Sequence, residues 1–142
     1  MLKFWLVIFG LEAVQITADM SYNFYLFIHV LGALLLLLGY GALLVRAVLA
    51  ADNKPFRIWG SVISGIGLLF LLVAGFGLQA RLGIGWPTWF ILKMVTWLLL
   101  GGALAFINRR PDWNKILWVA VIVLAGFAAW LGIFGKVTPA LQ

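Results

Sequence analysis

Four apolar stretches follow one another along this chain, at about residues 23–49, 58–80, 88–107 and 114–135. Each is long enough to cross a bilayer, whose hydrocarbon core requires roughly 20 apolar residues in helical form. An isolated strand there would leave its backbone N–H and C=O groups unsatisfied, so each stretch reads as a helix. With 65% of its 142 residues hydrophobic, 10% charged and a mean hydropathy of +1.15, the chain has too little polar surface for a water-soluble domain. The expected fold is all-α: an integral membrane up-down-up-down four-helix bundle over residues 20–142, with the lipid bilayer as its first partner.

The connections carry the usual punctuation. Pro55, Pro87 and Pro111 fall where helices start or stop, with Asp52–Asn53 and Asp112 as cap candidates beside them. Arg46, Lys54 and Arg57 belong to one basic loop, and Arg109, Arg110 and Lys115 to another. Lys3, Arg81 and Lys136 fall on the opposite side. This bias puts both basic loops in the cytoplasm and both termini outside. It also accounts for the net charge of +6 without nucleic acid as a partner. Trp86 and Trp89 mark one interface, and Trp59, Trp113 and Trp118 the other, as in aromatic belts.

Residues 1–19 read differently. The apolar run from Phe4 to Leu11 is too short to span, and Glu12, Gln15 and Asp19 share a helical face. A cleaved signal is a poor match, because Glu12 and Gln15 fall in the cleavage region. The expectation is a short, separate interfacial helix on the outer face, possessing its own amphipathic character. Met20 is a natural start for the bundle, which makes the segment an optional extension.

Small residues recur one turn apart at Gly60/Ser64, Ser61/Gly65, Gly101/Ala105, Ala125/Ala129 and Ala128/Gly132. Such pairs let helices approach closely, and they are read here as packing. Ser61 and Ser64 are expected to hydrogen-bond a neighbouring helix; a nucleophile would need a partner base, which the sequence does not supply.

Several chemistries are excluded. The chain has no cysteine, hence no disulfide or thiolate chemistry. Its four carboxylates, Glu12, Asp19, Asp52 and Asp112, all lie outside the spans. Carriers driven by protons or cations keep such groups near the midplane, so a channel or carrier is disfavoured.

Two ionisable side chains lie inside the spans: His29, the single histidine, and Lys93. Each is five or six residues from the same end of its span, or about 7–9 Å deep at about 1.5 Å per residue. Tyr25, His29 and Gly32 share a face of helix one; Trp89, Lys93 and Trp97 share a face of helix three; Gln79 and Arg81 end helix two on that side. Together they would suit a flat amphipathic ligand between helices one and three, a porphyrin or haem or a quinone head. His29 can ligate haem iron or bond a quinone oxygen, and is a metal ligand only if haem is bound. Lys93 can pair with a carboxylate or polarise a carbonyl. The plainer alternative stays open beside this one. Lys93 would then snorkel to the surface and His29 would bond a carbonyl of another helix.

The stretch "FIHVLGALLLLLGYGALLVRA" in helix one resembles the opening of HemJ-type protoporphyrinogen oxidases, with His29 followed by Gly32, Gly39 and Arg46. In helix three, "WFILKMVTWLLLGGALAFINRR" resembles the Trp-x-x-x-Lys stretch of that family and is closer still to the SirB type. "WVAVIVLAGFAAWLGIFGKVTP" is similar to the last SirB-type helix. The likeness covers about residues 22–138. It implies a small bacterial four-helix protein of the inner (cytoplasmic) membrane, with His29 and Lys93 as the functional pair. The histidine that follows the helix-three lysine in HemJ-type proteins is missing, as is the lysine that precedes the first histidine in both types. A relative that keeps the bundle without the oxidation therefore stays open, and so does the question of any catalysis. The competing reading is a non-catalytic accessory subunit or assembly factor that meets a second copy or other membrane subunits.

Overall fold

The computed structural model describes residues 2–49, 52–83 and 85–135, with only the backbone described for residues 2–20 and for Pro111. All regular structure among the described residues is helical: α1 (Leu2–Leu49), α2 (Lys54–Leu82), α3 (Thr88–Arg109), a 3₁₀ turn at Pro111–Trp113, and α4 (Asn114–Phe134). Four segments are long and apolar enough to cross a membrane: Ser21–Leu49, Lys54–Leu82, Thr88–Arg109 and Asn114–Phe134. Their bounds lie within a few residues of those read from the sequence.

The N-terminal segment differs from expectation. Instead of a separate interfacial helix, α1 runs unbroken for 48 residues. At about 1.5 Å per residue that is roughly 70 Å, more than twice a hydrocarbon core about 30 Å thick. Between Leu11 and Leu31 there is neither glycine nor proline. Glu12, Gln15 and Asp19 lower the hydropathy there but give the backbone no reason to stop. The amphipathic face itself falls among side chains outside the described residues.

The helix ends follow local chemistry. Asn53 caps α2, its Oδ1 accepting from the Phe56 N–H at 3.1 Å, and Pro55 sits in the first turn. Gly83, at φ 64°, closes α2 in the left-handed conformation. Pro87 precedes α3. Asp112 does not cap α4: it lies in the 3₁₀ turn, and Trp113 occupies the cap position without a side-chain bond. Arg46 is not a loop residue either. It belongs to the last turn of α1 and is 5% exposed.

The α1–α2 seam is closed by glycine. A Cβ on Gly32 would stand 2.9 Å from the Gly67 carbonyl oxygen and from the Leu71 nitrogen, and one on Gly39 would stand 2.7 Å from the Gly60 oxygen. These pairings run in opposite chain directions, so the two helices are antiparallel and nearly in backbone contact. Of the five small-residue pairs, only Gly60/Ser64 seats a neighbouring backbone in this way. Gly65 faces open space, and Gly101 meets only the Leu68 side chain, at 3.9 Å.

The remaining seams are held by side chains. The Tyr40 hydroxyl donates to the Leu100 carbonyl, linking α1 to α3. The Trp97 indole donates to the Leu68 carbonyl at 2.8 Å, and Asn108 Nδ2 to Ser61 Oγ at 2.9 Å, linking α3 to α2. Ser61 thus makes its expected interhelical bond; Ser64 Oγ is buried with no hydrogen-bond partner.

The packed core is not evenly distributed. Leu36, Tyr40, Leu68, Leu100 and Val121 form one buried cluster, and Leu43, Leu44, Ile107 and Leu117 a second, nearer the α1–α2 and α3–α4 connections. Toward the α2–α3 connection the four helices instead surround a cavity.

Candidate functional site

The cavity has a volume of about 570 Å³ and is lined by residues from all four helices. That size suits a small-molecule ligand, since such sites span about 300–1,000 Å³. Its lining is mostly aliphatic and aromatic, with His29, Gln79 and Lys93 as its most polar members.

His29 reaches it from α1, in the first half of the span Ser21–Leu49. Gly75 of α2 lies beside the ring: a Cβ there would sit 3.6 Å from Cε1 and 3.8 Å from Nδ1, which is ordinary contact. The absence of that side chain leaves room along the Nδ1 edge. Nδ1 is buried and makes no hydrogen bond of good geometry, though the Leu71 backbone is close enough to act on the ring. A buried polar atom left so is costly, and such atoms call for an explanation.

Lys93 approaches from α3. Its ammonium stands over the Trp89 ring, 5.6 Å from the centroid, a cation–π arrangement. It is half-buried, lines the cavity, and its charge is within electrostatic reach of the His29 imidazole. The ammonium thus lies between the first turn of α3 and Gly132 near the end of α4, on the cavity wall.

Gln79 lines the same space near the end of α2, where its Nε2 donates to the Gly85 carbonyl at 2.6 Å. This bond fastens the α2–α3 connection to the cavity wall. Trp97 lines the cavity as well, but its indole N–H is already committed to Leu68, so it offers a flat surface and no free donor.

Of the eight residues expected at the site, His29, Lys93, Gln79, Trp89 and Trp97 line the cavity, and three do not. Gly32 is spent on the contact with Gly67. Tyr25 lays its ring against Gly77 of α2. Arg81 is exposed and does not line the cavity, so the expected basic rim reduces to Lys93. The site also extends beyond helices one and three.

Beyond Gln79, the sequence reading missed the α2 wall, and it missed the α4 wall entirely. Gly75, Phe76 and Phe90 border the polar end, Phe76 and Phe90 meeting edge to face at 5.7 Å. Ala125, Ala128, Ala129 and Gly132 of α4 were read as packing residues; they line the cavity instead. A small-residue face looks the same in sequence whether it seats a helix or leaves a hollow. No group of three or more potential metal-ligating His, Cys, Asp or Glu side chains occurs among the described residues.

Comparison of the chain with protein-family models, with curated proteins and with solved structures gives no match.

Proposed function

We propose that this chain is a multi-pass membrane protein whose helices cross the bilayer up-down-up-down, and that its cavity binds a flat amphipathic ligand, a porphyrin or haem or a quinone. The observation that carries this reading is the convergence of His29 and Lys93, from different helices, on one mostly apolar cavity. Intramembrane ionisable groups are costly and are found mainly at functional sites. The resemblance to SirB-type and HemJ-type proteins points to the same pair, and agrees with a bacterial inner membrane.

The donor set fits either ligand class at the level of contacts. His29 would hold haem through its imidazole, and the bound group would supply redox chemistry. Lys93 would pair with a propionate, or donate to a quinone carbonyl. The chain's own residues bind and orient the ligand, Trp89 and Trp97 offering ring faces and the apolar walls excluding water.

An absorption spectrum of the purified protein, before and after dithionite, tests the reading together with mass spectrometry of organic extracts. A Soret band, or a co-purifying porphyrin or quinone that is lost in His29→Ala and Lys93→Ala, is the expected result. Protein that is spectrally silent, and whose extract is unchanged in both variants, supports the accessory-subunit alternative.

A further inference from the structure

The wall of the cavity is open on one side. Leu26, Val30, Leu34 and Leu37 of α1 all line it, yet they are 40%, 51%, 61% and 44% exposed. Opposite them on α4, Ile133 lines it and is 65% exposed. Residues that face a cavity and the exterior at once mark its mouth. This mouth lies between α1 and α4, which are in sparse contact. They come together through Leu36, Tyr40 and Val121 and again through Leu44 and Leu117, all toward the other end of the bundle. On its far side the cavity is backed by the glycine-closed α1–α2 seam.

The polarity is also graded along the helix axis. His29, Lys93 and Gln79 occupy the end near the α2–α3 connection, while the lining continues to Leu37 and Leu100 without another charged side chain. From His29 to Leu37 the helix rises about 12 Å at 1.5 Å per residue. In a bilayer, a mouth between two spans opens onto acyl chains, not onto water.

Resting on the ligand-binding reading above, we infer that the occupant is a membrane-borne amphiphile with a hydrocarbon tail, a prenylated quinone, whose head lies at His29 and Lys93 and whose tail leaves between α1 and α4. The imidazole and the ammonium are donors for two ring oxygens, and Trp89 and Phe90 are surfaces for the ring. One ammonium, with Arg81 outside the cavity, is a weak match to the two propionates of a porphyrin, which also has no part to lie in an open lengthwise groove.

The test uses the full chain in phosphatidylcholine nanodiscs and a benzoquinone carrying a diazirine near the end of a ten-carbon tail. Photolabelled positions are read by peptide mass spectrometry. Labelling is expected on Leu34 or Leu37 of α1 and on Ala125 or Ala129 of α4, which line the cavity below the level of Lys93. Excess decylubiquinone should suppress it, and Lys93→Met should reduce it about tenfold. Ala129→Phe, at an exposed position on the mouth, should reduce labelling while leaving the bundle folded. Label spread equally over outward residues of α2 and α3, such as Val73 and Leu99, and indifferent to both substitutions would overturn the inference. A parallel titration with protoporphyrin separates the two levels. Porphyrin binding that depends on Lys93, together with non-specific quinone label, would refute the tailed ligand and leave the site intact. Independence of both probes from His29 and Lys93 would refute the site itself.

Discussion

The ammonium nitrogen of Lys93 lies 2.9 Å from the point where a Cβ on Gly132 would stand. The missing side chain on α4 is what gives the lysine its place over Trp89. Gly132→Ala should therefore displace the charge without removing it. Because the displaced group is the far end of a flexible chain, stability should change by less than about 0.5 kcal/mol. Ligand occupancy should fall several-fold, as measured by the co-purifying chromophore or quinone per mole of protein. Occupancy equal to that of the parent chain would mean that the ammonium position does not matter.

The pair itself can be tested for coupling. If His29 and Lys93 hold one ligand, His29→Ala and Lys93→Ala should each lower occupancy, and the double variant should lose little more than the worse single one. Independent groups would give losses that multiply. Lys93→Arg should retain part of the binding to a carboxylate-bearing ligand and little binding to a carbonyl. Titration in nanodiscs gives all four affinities directly.

Closure of the α1–α2 seam predicts a contrast between glycines. A Cβ on Gly67 would stand 2.7 Å from the Gly32 oxygen, a backbone atom that cannot swing aside. Gly67→Ala should destabilise the bundle by about 1–3 kcal/mol through overpacking. Gly65→Ala points into open space and should be silent or slightly stabilising, since alanine is the better helix former. Unfolding in mixed detergent, followed by circular dichroism, distinguishes them. Equal effects at both positions would mean that the seam is looser than the geometry indicates.

Tyr40 offers a polar counterpart. Its ring is 1% exposed and its hydroxyl donates to the Leu100 carbonyl across the α1–α3 contact. Tyr40→Phe keeps the packing and deletes the bond, so it should cost on the order of 1 kcal/mol. The same unfolding assay measures it, and no loss would show that the carbonyl finds another donor.

The helices were legible in the sequence because length and apolarity in a bilayer leave few alternatives, and because prolines and Asn53 mark the ends. Continuity of α1 through Glu12 and Asp19 was not legible, since polarity was taken for a break where no helix-stopping residue stands. At the site, His29 and Lys93 were visible as rare ionisable groups at matched depth. Gly75, Phe90 and the α4 wall were not, because apolar and small residues carry no mark of which face they turn inward. Gly32 misled for the same reason: its spacing from His29 put it on a plausible face, whereas the close approach of Gly67 decides its role.

Orientation is the last expectation open to test, and the chain is well suited to it because it contains no cysteine. If the basic loops are cytoplasmic, single cysteines at Asp52 and Asp112, both exposed at those connections, should resist an impermeant maleimide in intact cells and react after permeabilisation. A cysteine at Trp86, 68% exposed beside the α2–α3 connection, should react in intact cells. Placing Arg46 inside α1 removes one charge from the loop count, but Lys54, Arg57, Arg109, Arg110 and Lys115 still bias the same side. The reverse labelling pattern would put the cavity in the cytoplasmic leaflet and invert the side from which any ligand head group is reached. It would leave the cavity's chemistry unchanged, since His29 and Lys93 are fixed by the helices and not by the membrane's sidedness.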